Sequence, residues 1–312
     1  MLRYAISRVL WLFPTLLAMT AITFVIMRLT PGSPFALANM DRVAPETIAR
    51  LEKMYGLDRP LYIRFGLYIW NSLHGDFGES YVWRGQEVRD IIARTFPISL
   101  HLGTMATLFA VIVGMTLGIL AAVNQNGILD YISITLAILF YSMPSFVMGY
   151  LLILVFAVWL PGRGIDLGFN VGGWERPQDW ILPTIALGAA PLATLARYTR
   201  SCMIDVIRSD YVRTARAKGL AERKVILKHV LKNALIPVVT LIGPIFAAVG
   251  TGSFFVEKVF NVPGMGKYYV ESMDTKDQPM ILAVTLIYGI FLAIMNVVVD
   301  LVYGLIDPRI RY

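Results

Sequence analysis

The stretch Gln278–Val299 reads QPMILAVTLIYGIFLAIMNVVV, 22 residues without one Asp, Glu, Lys or Arg. About 20 apolar residues in a helix, each rising about 1.5 Å, cross a hydrocarbon layer of roughly 30 Å. Water is absent from that layer, so every backbone N–H and C=O must be paired within the element. Only a helix or a closed barrel achieves this. Barrel strands would alternate polar and apolar residues, and this stretch does not. It is read as a membrane-spanning helix.

Five further windows lack charged residues: 9–27, 95–129, 131–162, 180–196 and 233–256. With the first they make up 149 of the 312 residues. The window 95–129 opens with Pro97 and closes on the turn signal Asn124-Gln125-Asn126-Gly127, which places its span at 99–123. The window 131–162 is longer than an upright span, and Pro144 within Ser142-Met143-Pro144-Ser145 predicts one kinked helix. The chain is thus expected to be an all-α polytopic membrane protein with six transmembrane helices. An even number leaves both termini on one side. Its composition agrees, with 57% apolar residues, 16% charged residues and a mean hydropathy of +0.64. A disulfide scaffold and a collagen are excluded by a single Cys and 25 scattered Gly, and Cys202 carries no information on redox compartment.

Arg3 and Arg8 precede the first span, and no small-residue cleavage pattern follows it, so the segment reads as an anchor. With the N-terminus inside, the cytoplasmic pieces hold 14 basic against 5 acidic residues, whereas the external pieces hold 13 against 15. The positive-inside rule therefore predicts that both termini are cytoplasmic. The net charge of +7 follows from topology and calls for no nucleic-acid partner. Three regions result: an N-terminal span in 1–30, an extracytoplasmic loop over 31–95, and a five-helix core over 96–312 with a cytoplasmic loop at 197–235.

The external loop is too long for a plain connection. Ala44-Pro45-Glu46 starts a short amphipathic helix that Gly56 ends, and residues 61–73 place Tyr62, Phe65, Tyr68 and Trp70 among few charges, as suits the headgroup region. Both helices could cap the spans or dock an external partner. Amphipathicity alone does not choose.

The cytoplasmic segment 197–232 carries ten basic residues. Residues 211–218 and 221–232 are helix-compatible and Gly219 interrupts them, which predicts helix, sharp turn, helix. Thr214, Ala215 and Ala217 are small, so the backbone of another protein could approach there. The same composition would also suit a basic loop lying on anionic membrane lipid.

At these residues a resemblance enters. Asp210-Tyr211-Val212-Arg213-Thr214-Ala215-Arg216-Ala217-Lys218-Gly219-Leu220, with His229 and Asn233 downstream, resembles the cytoplasmic loop of permease subunits of ABC importers for peptides. The general importer pattern is Glu-Ala-Ala, three residues, Gly, nine residues, Ile, one residue, Leu-Pro. Ala215, Gly219 and Leu231 agree with it, while Arg213, Thr214, His229 and Lys232 depart. The resemblance extends over the whole chain. It includes Met27-Arg28-Leu29-Thr30-Pro31-Gly32-Ser33-Pro34, Gly75-Asp76-Phe77-Gly78 with Ser80, and Glu257-Lys258-Val259-Phe260. It continues through Pro263-Gly264-Met265-Gly266, Asn296, Asp300 and Ile306-Asp307-Pro308-Arg309-Ile310-Arg311-Tyr312. The similarity is to the first permease subunit of the oligopeptide and dipeptide type.

The resemblance implies a prokaryotic plasma-membrane complex of this chain with a homologous second permease, two ATP-binding subunits that carry ATP and Mg, and an extracytoplasmic substrate-binding protein. Arg213, Thr214, Ala215, Arg216, Ala217, Lys218, Gly219, Leu220 and Ala221 would receive the ATPase, and Gly75, Asp76, Phe77 and Gly78 would receive the binding protein. Asp300, Asn296 and Pro144 are candidates for the pathway or for packing, since ionisable groups in a span are costly. Small residues at Gly114, Gly118 and Ala122 predict close helix packing.

No catalytic residue is expected. A P-loop needs Gly five residues ahead of Gly-Lys-Ser/Thr, yet Gly266-Lys267 is followed by Tyr268 and Asn261 stands where the first Gly belongs. His74, His101 and His229 lie in three separate regions, so no metal site is expected. No cofactor is expected on this chain. Alternatives are an importer permease for a metal chelate, glutathione or an oligosaccharide, and a stand-alone secondary transporter, which would show inverted repeats, broken helices near mid-membrane or buried charge pairs, of which the sequence offers only Pro144 and Asp300.

Overall fold

Apolar residues at helical spacing become helices throughout the computed structural model, which describes residues 2–30, 59–83 and 85–306, with side chains over 10–30, 59–83 and 85–299. Helix α1 (Leu2–Leu29) is the first span, and α2 (Leu61–Leu73) is the interfacial helix expected there. The helix expected near Ala44 lies outside the described residues.

The second span, α3 (Val88–Val123), starts well before residue 99 and takes Pro97 into its interior. The expectation failed because Arg89, Asp90 and Arg94 interrupt the charge-free window, although all three sit on the exposed face. On the opposite face Val88, Ile91, Ile92 and Thr95 are buried. A helix that is polar on one side escapes a criterion based on absence of charge.

The third window is broken, where one kinked helix was expected. Helix α4 (Ile128–Ser142) ends at Met143, whose φ of −96° and ψ of 124° are extended, and α5 (Ser145–Arg163) begins after Pro144. The residue before a proline is pushed out of the helical region, while the proline's fixed φ suits the start of the next helix.

Helix α6 (Pro177–Ile207) runs on past the expected end at 196 because Arg197 and Asp205 lie on its exposed face while Thr199, Met203 and Ile204 stay buried on the other. A hairpin follows, made of α7 (Asp210–Ala217) and α8 (Glu222–Ala234). The chain then bends by 50° into α9 (Ile236–Val249), with Pro237 in its first turn. Two short helices, α10 (Phe254–Val259) and α11 (Met265–Thr275), precede the last span, α12 (Gln278–Ile306). Among the described residues, five helices are long and apolar enough to cross a membrane, and six if the bent pair counts as one span.

Glycines set how closely the spans approach. A Cβ at Gly114 would lie 2.7 Å from the Leu192 carbonyl oxygen, and one at Gly118 2.5 Å from that of Ala196, so the backbones of α3 and α6 touch as the small-residue stripe predicts. Gly188 of α6 faces the Ala106 carbonyl in the same way, at 2.9 Å. Ala110, Leu192, Leu195 and Val238 fill the middle of this contact. Apolar side chains such as Trp11, Ile112, Tyr131 and Leu154 stay exposed, the reverse of a soluble core and the pattern expected of helices solvated by lipid.

Candidate functional site

One end of the helix assembly carries the α7–α8 hairpin. Ser209 precedes α7 in extended conformation, and Val212 and Arg213 return N–H bonds to its carbonyl. The turn closes when Gly219 N–H donates to Arg216 O at 2.9 Å, with Gly219 at φ +76°. Side chains other than Gly rarely adopt that left-handed backbone, which is why the helix-compatible run breaks at this residue.

Inside the hairpin Val212, Ala215, Val225, Val230 and Ala234 pack with Met203 and Ile204 of α6. This buries the hairpin's own seam and makes it an extension of α6. Ala215 is therefore an internal residue and does not offer a surface to another protein, as its small size had suggested. Its side chain fills the gap between α7 and α8. Arg213, Thr214, Arg216, Ala217, Lys218, Gly219 and Ala221 are exposed, and Leu220 is half-buried. Arg216 forks across the turn onto Glu222 at 2.6 and 3.1 Å. That bond lowers the Glu222 carboxyl and raises the Arg216 guanidinium from their ordinary pKa values, though both are too exposed for the pair to add much stability. The Asn233 side-chain amide donates to the Tyr211 hydroxyl at 2.9 Å, so two positions of the resembling motif brace one another.

Beneath the hairpin, Arg200 of α6 holds Asp130 of α4 with two bonds, at 2.5 and 2.7 Å, and Asn126 N–H adds a third at 2.9 Å. Asp130 is 2% exposed. A carboxylate removed from water persists only with such partners. In sequence Asp130 only separates two charge-free windows, and its partner lies 70 residues away, so the pair has no local signal.

The opposite end carries the loop 74–87. Gly75 and Gly78 have φ of +77° and +79°, and Asp76 Oδ1 accepts from Gly78 N–H at 2.8 Å, so the four-residue signature is a self-bonded turn. Asp76 and Gly78 are exposed. Phe77 packs with Val88, Ile92, Met265 and Met280, so one residue of the turn anchors it while its neighbours face outward. Ser80 is buried, and its hydroxyl donates to Asp277, which also accepts from Tyr81 N–H at 3.2 Å and Val82 N–H at 3.4 Å. Burial pushes the Asp277 carboxyl above the usual range against those donors.

A second buried acid stands nearby. Glu257 of α10 is fully buried, and its Oε2 accepts from Gly266 N–H at 2.8 Å. Ser99 of α3 lies beside it, and the Ser99 hydroxyl accepts from Met265 N–H at 2.8 Å. Oε1 finds no donor. Desolvation lifts the carboxyl to about 7. Gly264 and Gly266 of the resembling motif are needed here, since a Cβ on either would overlap the carboxylate.

The remaining candidates do not gather with these. Pro144 is exposed at the α4–α5 break, Asn296 is exposed on α12, and the side chain of Asp300 lies outside the described residues, as do residues 307–312.

The family model for the binding-protein-dependent transport system inner membrane component matches residues 114–312, and the model for the N-terminal part of such components matches 1–103. The chain is 45% identical over 312 residues to the dipeptide transport system permease protein DppB of Bacillus subtilis, covering 100% of this chain and 98% of that one. It is 42% identical over 317 residues to the oligopeptide transport system permease protein OppB of Haemophilus influenzae, covering both chains fully. The glutathione transport system permease protein GsiC of Salmonella typhimurium is 43% identical over 315 residues, again with full coverage of both. Among solved structures, the MetNI methionine ABC transporter aligns with a TM-score of 0.54 at 16% identity, covering 70% of this chain and 96% of that one. An amino acid ABC transporter aligns with a TM-score of 0.52 at 14% identity, covering 68% and 92%. At such identities the likeness is one of fold.

Proposed function

The chain belongs to the binding-protein-dependent transport system inner membrane components, which are permease subunits of ABC importers, and from that premise we propose that it forms half of a translocation pathway for peptides. The full-length identity of 42–45% to permeases named for dipeptides and oligopeptides carries this reading. A second cargo, glutathione, is favoured by the equally complete match to a glutathione permease.

The reading includes a homologous second permease, two ATP-binding subunits that hold ATP and Mg, and an extracytoplasmic substrate-binding protein. Both termini and the α7–α8 hairpin face the cytoplasm, as the charge balance of the loops favours. In this reading the chain divides into an N-terminal span in 1–30, an extracytoplasmic loop over 31–95 and a core of 96–312, with the loop tied to the core by the Ser80–Asp277 and Arg64–Gln278 bonds. The exposed residues from Arg213 to Ala221, around the Gly219 apex, receive the ATPase. Closure of two ATPases then swings the hairpin. Because its seam is continuous with α6 and Asp130 ties α6 to α4, the swing reaches the spans as a rigid movement. Gly75 to Gly78 receive the binding protein. Asn296, Asp300 and Pro144 serve the pathway or the packing around it.

Reconstitution of the assembled complex in liposomes tests the reading, with labelled dipeptides, longer peptides and glutathione offered through the binding protein. Uptake that depends on internal ATP and on the partner subunits is the expected result. Uptake by this chain alone, driven by an ion gradient, would overturn it.

A further inference from the structure

Asp277 stands at the junction of two elements that sequence places far apart. It immediately precedes α12, with Ile281 N–H bonded to its carbonyl at 3.0 Å and Met280 N–H near its Oδ1 at 3.4 Å, so it caps the last span. Its remaining donors come from the loop, namely the Ser80 hydroxyl, Tyr81 N–H and Val82 N–H. The loop is itself braced: Ser80 N–H bonds Gln86 O at 3.1 Å, Val88 N–H bonds Gly78 O at 3.0 Å, and Trp83 N–H returns to the Ser80 hydroxyl at 2.9 Å. One residue further, the Gln278 side chain accepts from Arg64 of α2 at 2.8 Å.

Asp277 has no exposed surface. If the loop moved away alone, it would leave a buried carboxyl with one weak donor from its own helix. Stranding a buried charge is costly, so the loop and the first turn of α12 move together or not at all.

We propose that Asp277 is a positioning residue that transmits docking of the substrate-binding protein at the Gly75–Gly78 turn, through Ser80, to the N-terminal turn of α12. The inference rests on the proposed docking role of that turn. Asp277 touches neither cargo nor binding protein. It converts a displacement of the turn into a displacement of a span.

The experiment uses the whole complex in lipid nanodiscs and follows ATP hydrolysis against binding-protein concentration. D277N is expected to keep basal hydrolysis and the half-saturating concentration, while maximal stimulation falls at least about fivefold, the lower end of ordinary coupling between two sites. A purely structural role would lower basal and stimulated hydrolysis together and raise the half-saturating concentration. Unchanged maximal stimulation overturns the proposal, as does a defect that saturating binding protein repairs, because Asp277 would then only shape the docking surface. S80A removes a single hydroxyl and decides the matter if D277N does not assemble: it must reproduce the loss, and full stimulation overturns the proposal. D76R, on the exposed part of the turn, tests the underlying reading separately. It should raise the half-saturating concentration with maximal stimulation intact, and no change there removes the docking role without bearing on the Asp277 hydrogen bonds.

Discussion

Arg200 of α6 meets Asp130 of α4 edge to edge, two guanidinium nitrogens on two carboxylate oxygens, at the end of the assembly that carries the hairpin. Three quarters of the Arg200 side chain and nearly all of Asp130 are out of solvent. D130A leaves the guanidinium without its partner. The expected loss is about 2 kcal/mol, less than the ~3–5 kcal/mol of a fully buried pair because Arg200 keeps some solvent. R200K should lose most of the same stability, since a single ammonium cannot fork. Thermal unfolding of the purified complex measures both, and ATP-driven uptake should fall with them if α4 follows α6.

Within the hairpin the two small residues part company. A215W forces a large ring into the seam with Val212 and Val225 and should lower the unfolding midpoint of the complex, at a cost of about 1–3 kcal/mol. A217W places the same ring on an exposed position, so stability should hold while ATP-driven uptake falls. The comparison of unfolding and uptake in the two variants checks the assignment, and stable, fully active A217W complexes would remove the ATPase from this surface.

At Gly219 an added Cβ meets no neighbour within 4 Å, so the first cost of a substitution is in the backbone. G219V should cost about 1–2 kcal/mol through its left-handed conformation and blunt the turn. G219A tests the origin of the effect, because it has no bulk to clash yet should show most of the same loss in thermal unfolding.

Glu257 gives the stability a dependence on pH. Its carboxyl is lifted to about 7 in the folded protein, against an ordinary value of 4.5. Below 4.5 the group is neutral in both states. As pH rises toward 7 the unfolded chain ionises first, so this contribution to stability is present at low pH and is lost across that window. E257Q, which stays neutral throughout, should flatten this part of the profile in unfolding measured from pH 4.5 to 7.5. An unchanged profile would mean that other groups govern it.

The spans were legible because absence of charge over about 20 residues has one physical meaning. Their ends were less so. α3 hid its first turns behind Arg89, Asp90 and Arg94, and α6 ran on behind Arg197, because a charge on the exposed face of a helix does not end it. Gly219 announced the hairpin through its conformational freedom, but the inward direction of Ala215 depended on how α7 and α8 lie together. The buried acids were the least visible. Asp277 and Glu257 stand among ordinary external charges in sequence, and the residues they meet, Ser80 and Ser99, lie far away along the chain. One local signal existed for Asp277: an aspartate directly before an apolar helix is a common cap.

The bare carbons of Gly114, Gly118 and Gly188 bring α3 and α6 so near that main chain rests on main chain. Two rods fitted in this way have no slack: sliding by one residue would force an atom into space already filled, and prying them apart would open a void. They behave as one plank, and any cargo must slip past its outer edges, never down the seam.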